Sequence, residues 1–131
     1  MKIINNILLL AVSCLTLFMA CHKADDENNT TDPVLSITSP ASNASISGVV
    51  TITGLATDNS LHEMHLKITK DADGSVLMES APTVHDLTEY TIAQTWTPTN
   101  ITVATPVTLT VTVEDHNEHA VTKTVNFTVN P

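Results

Sequence analysis

The residues of this chain that could do chemistry are histidines and carboxylates, and they fall in three short polar stretches. The candidate ligands in these stretches are Asp58, His62, His85, Asp115, His116 and His119. Imidazole and carboxylate together suit Zn²⁺, Cu²⁺ or Ni²⁺, whereas the carboxylates alone would suit Ca²⁺. The sequence therefore offers a possible divalent-metal site, provided that the fold brings the three stretches together.

The spacing of the histidines discriminates among them. His62 and His65 are three residues apart, which places them on opposite faces of a strand, so we do not expect His65 to join a site. His116 and His119 are better placed, because residues three apart across a tight turn come close together. The chain has no recognised metal-ligand signature, and a solvated polar rim without a metal is the alternative interpretation.

Catalysis is not expected. The chain lacks a Gly-x-Ser-x-Gly elbow, a phosphate-binding glycine loop and a His-Glu-x-x-His pair. Only Gly48, Gly54 and Gly74 are available to build tight catalytic turns. The two cysteines, Cys14 and Cys21, both lie near the N-terminus, which excludes a disulfide framework or a cysteine nucleophile in the rest of the chain. We predict a protein that is not an enzyme and has no obligatory cofactor.

Cys21 is a candidate site of lipid attachment. A basic start at Lys2 is followed by an apolar run over residues 7–20, and Phe18-Met19-Ala20-Cys21 resembles the cleavage site of bacterial lipoproteins. The run of about 14 apolar residues is short for a membrane span, which needs roughly 20. We predict a lipoprotein signal peptide over residues 1–20 and acylation of Cys21, which would attach the protein to a membrane.

The segment 21–33 reads as a lipidated acidic linker. It contains Lys23, Asp25, Asp26 and Glu27, which resemble the export signal of some Gram-negative surface lipoproteins, and this resemblance implies an outer-membrane location facing outward. Without residues 1–20, four lysines stand against fourteen acids, giving a formal charge of −10. Nucleic acid is therefore not expected as a partner, because its phosphates would be repelled.

The remaining chain, residues 34–131, alternates apolar and polar residues with period two in short runs separated by turn residues. About seven strands are predicted, at 34–38, 49–54, 61–69, 75–80, 89–96, 106–114 and 120–129. Residues 70–74 are predicted to close a hairpin, for which Gly74 supplies the positive φ. Asp71 and Asp73 overlap part of a calcium loop, but the hairpin is favoured because the closing glutamate and flanking helices are absent. The pattern is typical of an all-β Greek-key sandwich.

Two runs of this domain carry a family resemblance. Ile37-Thr38-Ser39-Pro40 with the run 48–58, and Trp96-Thr97-Pro98 with the run 109–115, resemble the opening and closing halves of bacterial immunoglobulin-like domains. The resemblance implies an immunoglobulin-like β-sandwich in which the loops between strands two and three, four and five, and six and seven share one end. The histidines and acids at 115–119 replace the turn that such domains commonly carry.

Two functions follow from this resemblance and the composition. The first is a non-enzymatic outer-membrane lipoprotein whose single immunoglobulin-like module serves adhesion, or binds a protein or glycan at the cell surface. Trp96, the only tryptophan, is expected in the core and not as a sugar-binding platform, while the role of Tyr90 stays open. The alternative function is metal binding at the histidine- and acid-rich loop end.

Overall fold

The computed structural model describes residues 30–131, in which the chain forms eight strands. Several predicted features lie outside the described residues: the signal peptide over residues 1–20, the acylation site at Cys21, most of the linker, and the export signal at Lys23, Asp25, Asp26 and Glu27. The strands are β1 (Val34–Ser39), β2 (Ser45–Ser47), β3 (Val50–Thr57), β4 (Leu61–Lys70), β5 (Val76–Ser80), β6 (Glu89–Trp96), β7 (Thr105–Asp115) and β8 (Ala120–Asn130). Between residues 30 and 131 no helix is long and apolar enough to cross a membrane.

The strands form two sheets that pack face to face. The first has the order β1-β3-β6, and the second has the order β2-β8-β7-β4-β5. All neighbours pair antiparallel except β2, which runs parallel to the end of β8. This is the strand distribution of an immunoglobulin-like Greek-key sandwich, in which the chain crosses between the sheets after β1, β2, β3, β5 and β6.

The core lies between the two sheets and is built from the inward row of each strand. In β7 the residues Val107, Leu109, Val111 and Val113 are fully buried, as their period-two spacing predicts. In β4 the same holds for Met64, Leu66 and Ile68. Sixteen apolar side chains make up one continuous buried cluster, so stability comes from a single core, as the absence of cysteine in this part of the chain requires. Trp96 packs, half-buried, against this core.

The seven predicted strands are confirmed, and the structure adds β2 as a short eighth. Its three residues, Ser45–Ser47, contain one apolar side chain, so they show no alternation that a sequence pattern could reveal. β2 covers β8 only from Thr128 to Asn130. In the first half of β8, which β2 does not cover, Val121 and Val125 are only half-buried, whereas Phe127 and Val129 are buried.

The hairpin between β4 and β5 is also confirmed. Lys70 N–H donates to Ser75 O over 2.9 Å, and Gly74 adopts a φ of 72°. The two aspartates that suggested a calcium loop have partners of their own. Asp73 Oδ1 accepts the Ser75 N–H at 2.9 Å, and Asp71 Oδ1 accepts the Thr108 hydroxyl at 2.7 Å.

Candidate metal centre

Three loops meet at one end of the sandwich: β3–β4, β5–β6 and β7–β8. Backbone hydrogen bonds connect them directly. Asp86 N–H donates to Leu61 O over 2.9 Å, and Leu61 N–H donates to Leu87 O over 2.8 Å. His116 N–H donates to Ser60 O over 3.3 Å. The relative positions of the loops are therefore set by main-chain bonds that do not depend on the functional side chains.

His62 occupies a bulge at the start of β4. Leu61 pairs with Asp115 and Glu63 pairs with Glu114, so His62 is an extra residue opposite one step of β7. Strict alternation would place His62 on the same face as the buried Met64. The bulge instead lets Leu61 and Met64 both enter the core and leaves the His62 side chain 36% exposed. A bulge re-aims a side chain in this way at the rim of a sheet.

His85 and Asp86 lie in the β5–β6 loop, which is bonded to the main chain of Leu61. Asp86 has a φ of 63°, in the left-handed region that asparagine and aspartate tolerate better than most residues. This backbone conformation sets the directions in which His85 and Asp86 leave the loop. The His85 side chain is 52% exposed and stays accessible to solvent.

His116 is presented by a tight turn that Asp115 organises. Asp115 is buried, with 1% of its surface exposed. Its Oδ1 accepts the N–H groups of Asn117 at 2.8 Å and His119 at 2.9 Å, and its Oδ2 accepts a hydrogen bond from His119 Nδ1 at 2.8 Å. Glu118 adopts a φ of 66° as the chain reverses. The buried carboxylate thus accepts hydrogen bonds from the backbone N–H groups of the turn, and His116 lies at the outer edge of the same turn.

The ionisation of this turn follows from its hydrogen bonds. Burial by itself raises the pKa of Asp115, but the bonds from the His119 ring and from the two backbone N–H groups outweigh it and bring the pKa below its ordinary value. The hydrogen bond to Asp115 raises the pKa of His119, with a smaller contribution in the same direction from the charge of Asp115. Asp115 and His119 therefore stabilise each other as an ion pair.

His62, His85 and His116 form a cluster. Each offers one ring nitrogen, and these three atoms all lie within 4.8 Å of one another. Nδ1 of His62 is 3.2 Å from Nδ1 of His85. The ring centroid of His116 lies 4.6 Å from each of the other two centroids. No other group of three potential ligands this close is found in residues 30–131.

Carboxylates lie beside the Nε2 atoms of all three histidines. His116 Nε2 is 3.1 Å from Asp86 Oδ1, and His85 Nε2 is 3.7 Å from Asp86 Oδ2. His62 Nε2 is 3.8 Å from Glu63 Oε1. The cluster is therefore an inner group of imidazoles with carboxylates around it.

The structure brings together three of the six candidate ligands and separates the others. His62, His85 and His116 form the cluster. Asp58 bonds within its own loop, where its Oδ1 accepts the Ser60 N–H at 2.9 Å. Asp115 and His119 are engaged with each other beneath the turn. His65 stands outside the cluster, with Nε2 3.4 Å from Glu63 Oε2.

Asp86 and Glu63 were not among the candidate site residues, although they adjoin the cluster. Each directly follows a clustered histidine in the sequence, and that adjacency is the signal that could have found them. On a regular strand, neighbouring side chains point to opposite faces, which argues against such a contact. The bulge at His62 and the left-handed backbone at Asp86 break that rule at both positions.

Comparison with known proteins bears on the fold. The chain resembles an engineered protein of known crystal structure, with a TM-score of 0.55 and 18% identity over 76% of this chain, which spans only 20% of that protein. It also matches CopC from Methylosinus trichosporium OB3b with a TM-score of 0.48 and 16% identity, over 75% of this chain and 95% of CopC. No protein-family model and no curated protein matches the sequence. At this level of identity the likeness concerns the fold alone.

Proposed function

We propose that this protein is a non-enzymatic, lipid-anchored metal-binding protein that holds a divalent transition-metal ion at the cluster of His62, His85 and His116. The observation that carries the proposal is the convergence of three imidazoles, one from the start of β4 and two from separate loops, with ligand atoms within 4.8 Å. Imidazoles placed at random on a rim have no reason to converge, and the main-chain bonds between the loops hold them together before any ion arrives.

The donor set favours some ions over others. Imidazole nitrogen is a good ligand for Zn²⁺, Cu²⁺ and Ni²⁺, whereas Ca²⁺ takes six to eight oxygen ligands. The acids that would have served Ca²⁺ do not converge, because Asp58 and Asp115 are occupied within their own loops. Three protein ligands also leave one position of a tetrahedral ion for water or an external ligand.

The proposal places the protein at the outer membrane, attached through lipid on Cys21 and facing outward. It rests on the apolar run, on the small residue before Cys21 and on the acidic residues after it. A negatively charged protein attracts cations, so the formal charge of −10 without residues 1–20 supports ion capture.

The direct test is native mass spectrometry of the purified protein, freed of metal and titrated with Zn²⁺, Cu²⁺ and Ca²⁺. We expect one stoichiometric zinc or copper adduct, no specific calcium adduct, and loss of the adduct when His62, His85 and His116 are all changed to alanine. His65→Ala is the matched control, because it removes an exposed imidazole from the same strand without touching the cluster. An unchanged adduct in the triple variant would overturn the site.

A second readout is thermal stability. An ion that binds only the folded state stabilises it by mass action, by about 2.7 kcal/mol at a free concentration one hundred times Kd. We expect the melting temperature to rise on addition of zinc in the wild type and in His65→Ala, and to stay unchanged in the triple variant. Equal shifts in all three proteins would indicate non-specific binding.

Adhesion, or recognition of a protein or glycan at the cell surface, is the other candidate function. It is favoured by the exposed strand β5 at the sheet edge, where Val76 is 54% exposed and the outer backbone groups of the strand face no other strand of residues 30–131. Edge strands accept an additional strand from a partner. If no metal binds, capture of a partner from outer-membrane extract that is lost on Val76→Lys would support this function, and retention in that variant would contradict it.

A further inference from the structure

The arrangement of carboxylates around the histidine cluster determines which ring nitrogens face a metal. This inference rests on the proposed metal-binding function and deepens it. We propose that the site takes a tetrahedral Zn²⁺ ion through the Nδ1 atoms of His62, His85 and His116, and that Asp86 is a positioning residue that orients His85 and His116 by accepting their Nε2–H groups.

The first step concerns His116. Its Nε2 lies 3.1 Å from Asp86 Oδ1, within hydrogen-bond distance. An ionised carboxylate can only accept a hydrogen bond, so Nε2 of His116 carries the hydrogen. In a neutral imidazole the other nitrogen then has the free lone pair. His116 is left with Nδ1 as its metal ligand.

The second step concerns His62 and His85. Their Nδ1 atoms are 3.2 Å apart and already face each other. Two nitrogens bound to one tetrahedral ion at about 2.0–2.1 Å lie about 3.3–3.4 Å apart, whereas neighbouring ligands of a square-planar ion lie about 2.8–2.9 Å apart. The observed separation is that of an N–H···N hydrogen bond and is near enough to the tetrahedral value for both rings to bind one ion with little movement, while the assignment of Zn²⁺ follows from the set of three imidazole ligands.

Binding of the metal ion would move one imidazole hydrogen from Nδ1 to Nε2 of the same ring by exchange with solvent. Without metal, the close pair of Nδ1 atoms shares one N–H···N hydrogen bond. Zinc binding would release that hydrogen to solvent, and the Nε2 of the same ring would take up a hydrogen from solvent. A carboxylate lies near this Nε2 in either ring: Glu63 is 3.8 Å from His62, and Asp86 is 3.7 Å from His85. The three ligand atoms lie within 4.8 Å of one another, so the rings must also move closer together to bind one ion.

The single carboxylate of Asp86 approaches two of the three ligands: Oδ1 lies within hydrogen-bond distance of His116 at 3.1 Å, and Oδ2 makes a longer contact with His85 at 3.7 Å. These two histidines come from different loops, so Asp86 couples the orientation of one to that of the other. Carboxylates in this position orient metal-bound histidines, and their removal typically lowers metal affinity 10–100-fold. The left-handed backbone at Asp86 is what aims the carboxylate between the two rings.

The test uses ¹⁵N NMR of the imidazole nitrogens in the purified protein, without metal and with one equivalent of Zn²⁺, together with zinc affinity from competition with a chelator. We expect the zinc-bound wild type to show Nδ1 coordination and Nε2–H in all three histidines. Asp86→Asn keeps the size and the left-handed backbone, so we expect a folded protein whose zinc Kd rises about 10–100-fold and whose His116 loses its fixed Nε2–H form without metal.

Glu118→Gln is the matched control, because it removes one exposed charge at the same end of the molecule in a similarly left-handed turn and touches none of the three rings. We expect its zinc Kd to stay within about twofold of wild type, as for surface changes. Nε2 coordination of His116 in the wild type, or equal affinity of Asp86→Asn and wild type, would overturn the role of Asp86 and leave the three-histidine site standing. No zinc binding by the wild type would overturn the zinc site proposed here, and the absence of both a zinc and a copper adduct would overturn the proposed function as well.

Discussion

At the scale of single residues, the site depends on two positions where the backbone departs from regular geometry. The extra residue at the bulge turns His62 out of the core, and the left-handed Asp86 stands between two rings. Asp115 contributes differently, since its buried carboxylate holds the turn that carries His116. The residues that position the cluster are therefore mostly not the ones that would bind the ion.

The pair of Asp115 and His119 predicts a pH dependence of stability in the metal-free protein. A raised pKa of His119 means that its contribution is fully present below about pH 6.5 and is lost as the pH rises through the higher folded value. The lowered pKa of Asp115 gives stability that is present above about pH 3.8 and is lost as the pH falls below that value. The pair therefore stabilises the fold most between these limits.

We expect His119→Gln to lower the free energy of unfolding more at about pH 6 than at about pH 8.5, because the contribution of the charged imidazole is lost as the pH rises through its raised pKa. Urea denaturation at the two pH values measures this difference. His65→Gln is the control for loss of an exposed imidazole that lacks a buried partner. A His119→Gln effect that is equal at both pH values would show that the ion pair does not contribute to stability.

At the scale of elements, the sandwich requires close approach between β1 and β3. Gly54 pairs with Ile37, and a Cβ at this position would clash with the backbone carbonyl of Ser36. The obstacle is main chain and not a flexible side chain, so β1 and β3 would have to separate to admit it. Since β3 is the central strand of its sheet, such a separation would disturb the whole three-stranded layer.

We therefore expect Gly54→Ala to destabilise the protein by about 1–3 kcal/mol, the usual cost of overpacking. Ala93→Ser on the neighbouring strand β6 is the control, because it also adds one heavy atom but at an exposed position, and should change stability by no more than about 0.5 kcal/mol. Chemical denaturation of both variants decides the matter. Equal, small effects would mean that β1 can move away from β3 at little cost.

At the scale of the whole molecule, the sequence predicted the layers better than the site. The period-two rows of β4 and β7 are enough to define two sheets and one core, because burial acts on every second residue. The pattern could not show the bulge at His62, since one extra residue leaves the apolar spacing locally ambiguous. It also could not show that His119 would turn inward to Asp115 and away from His116.

Membrane attachment is the property of the whole chain most open to experiment. We expect Cys21→Ala to move the protein from the membrane fraction to the soluble fraction, because acyl chains on Cys21 would be the only anchor we propose. Cell fractionation followed by immunoblotting measures this, and Cys14→Ala, which changes the other cysteine, is the matched control. Retention of the Cys21→Ala protein in the membrane would contradict acylation at this residue.

The direction of β1 also determines which end of the domain lies near the anchor. Val34 pairs with Thr57, at the end of β3 that leads into the histidine loops, so the chain enters the sandwich beside the cluster. With Cys21 in the bilayer, residues 21–33 can span at most roughly 45 Å. The histidines would then lie on the membrane-proximal side, reachable by small ions, while the hairpin at 70–75 and the segment 97–104 form the distal tip that a cell or large partner meets first.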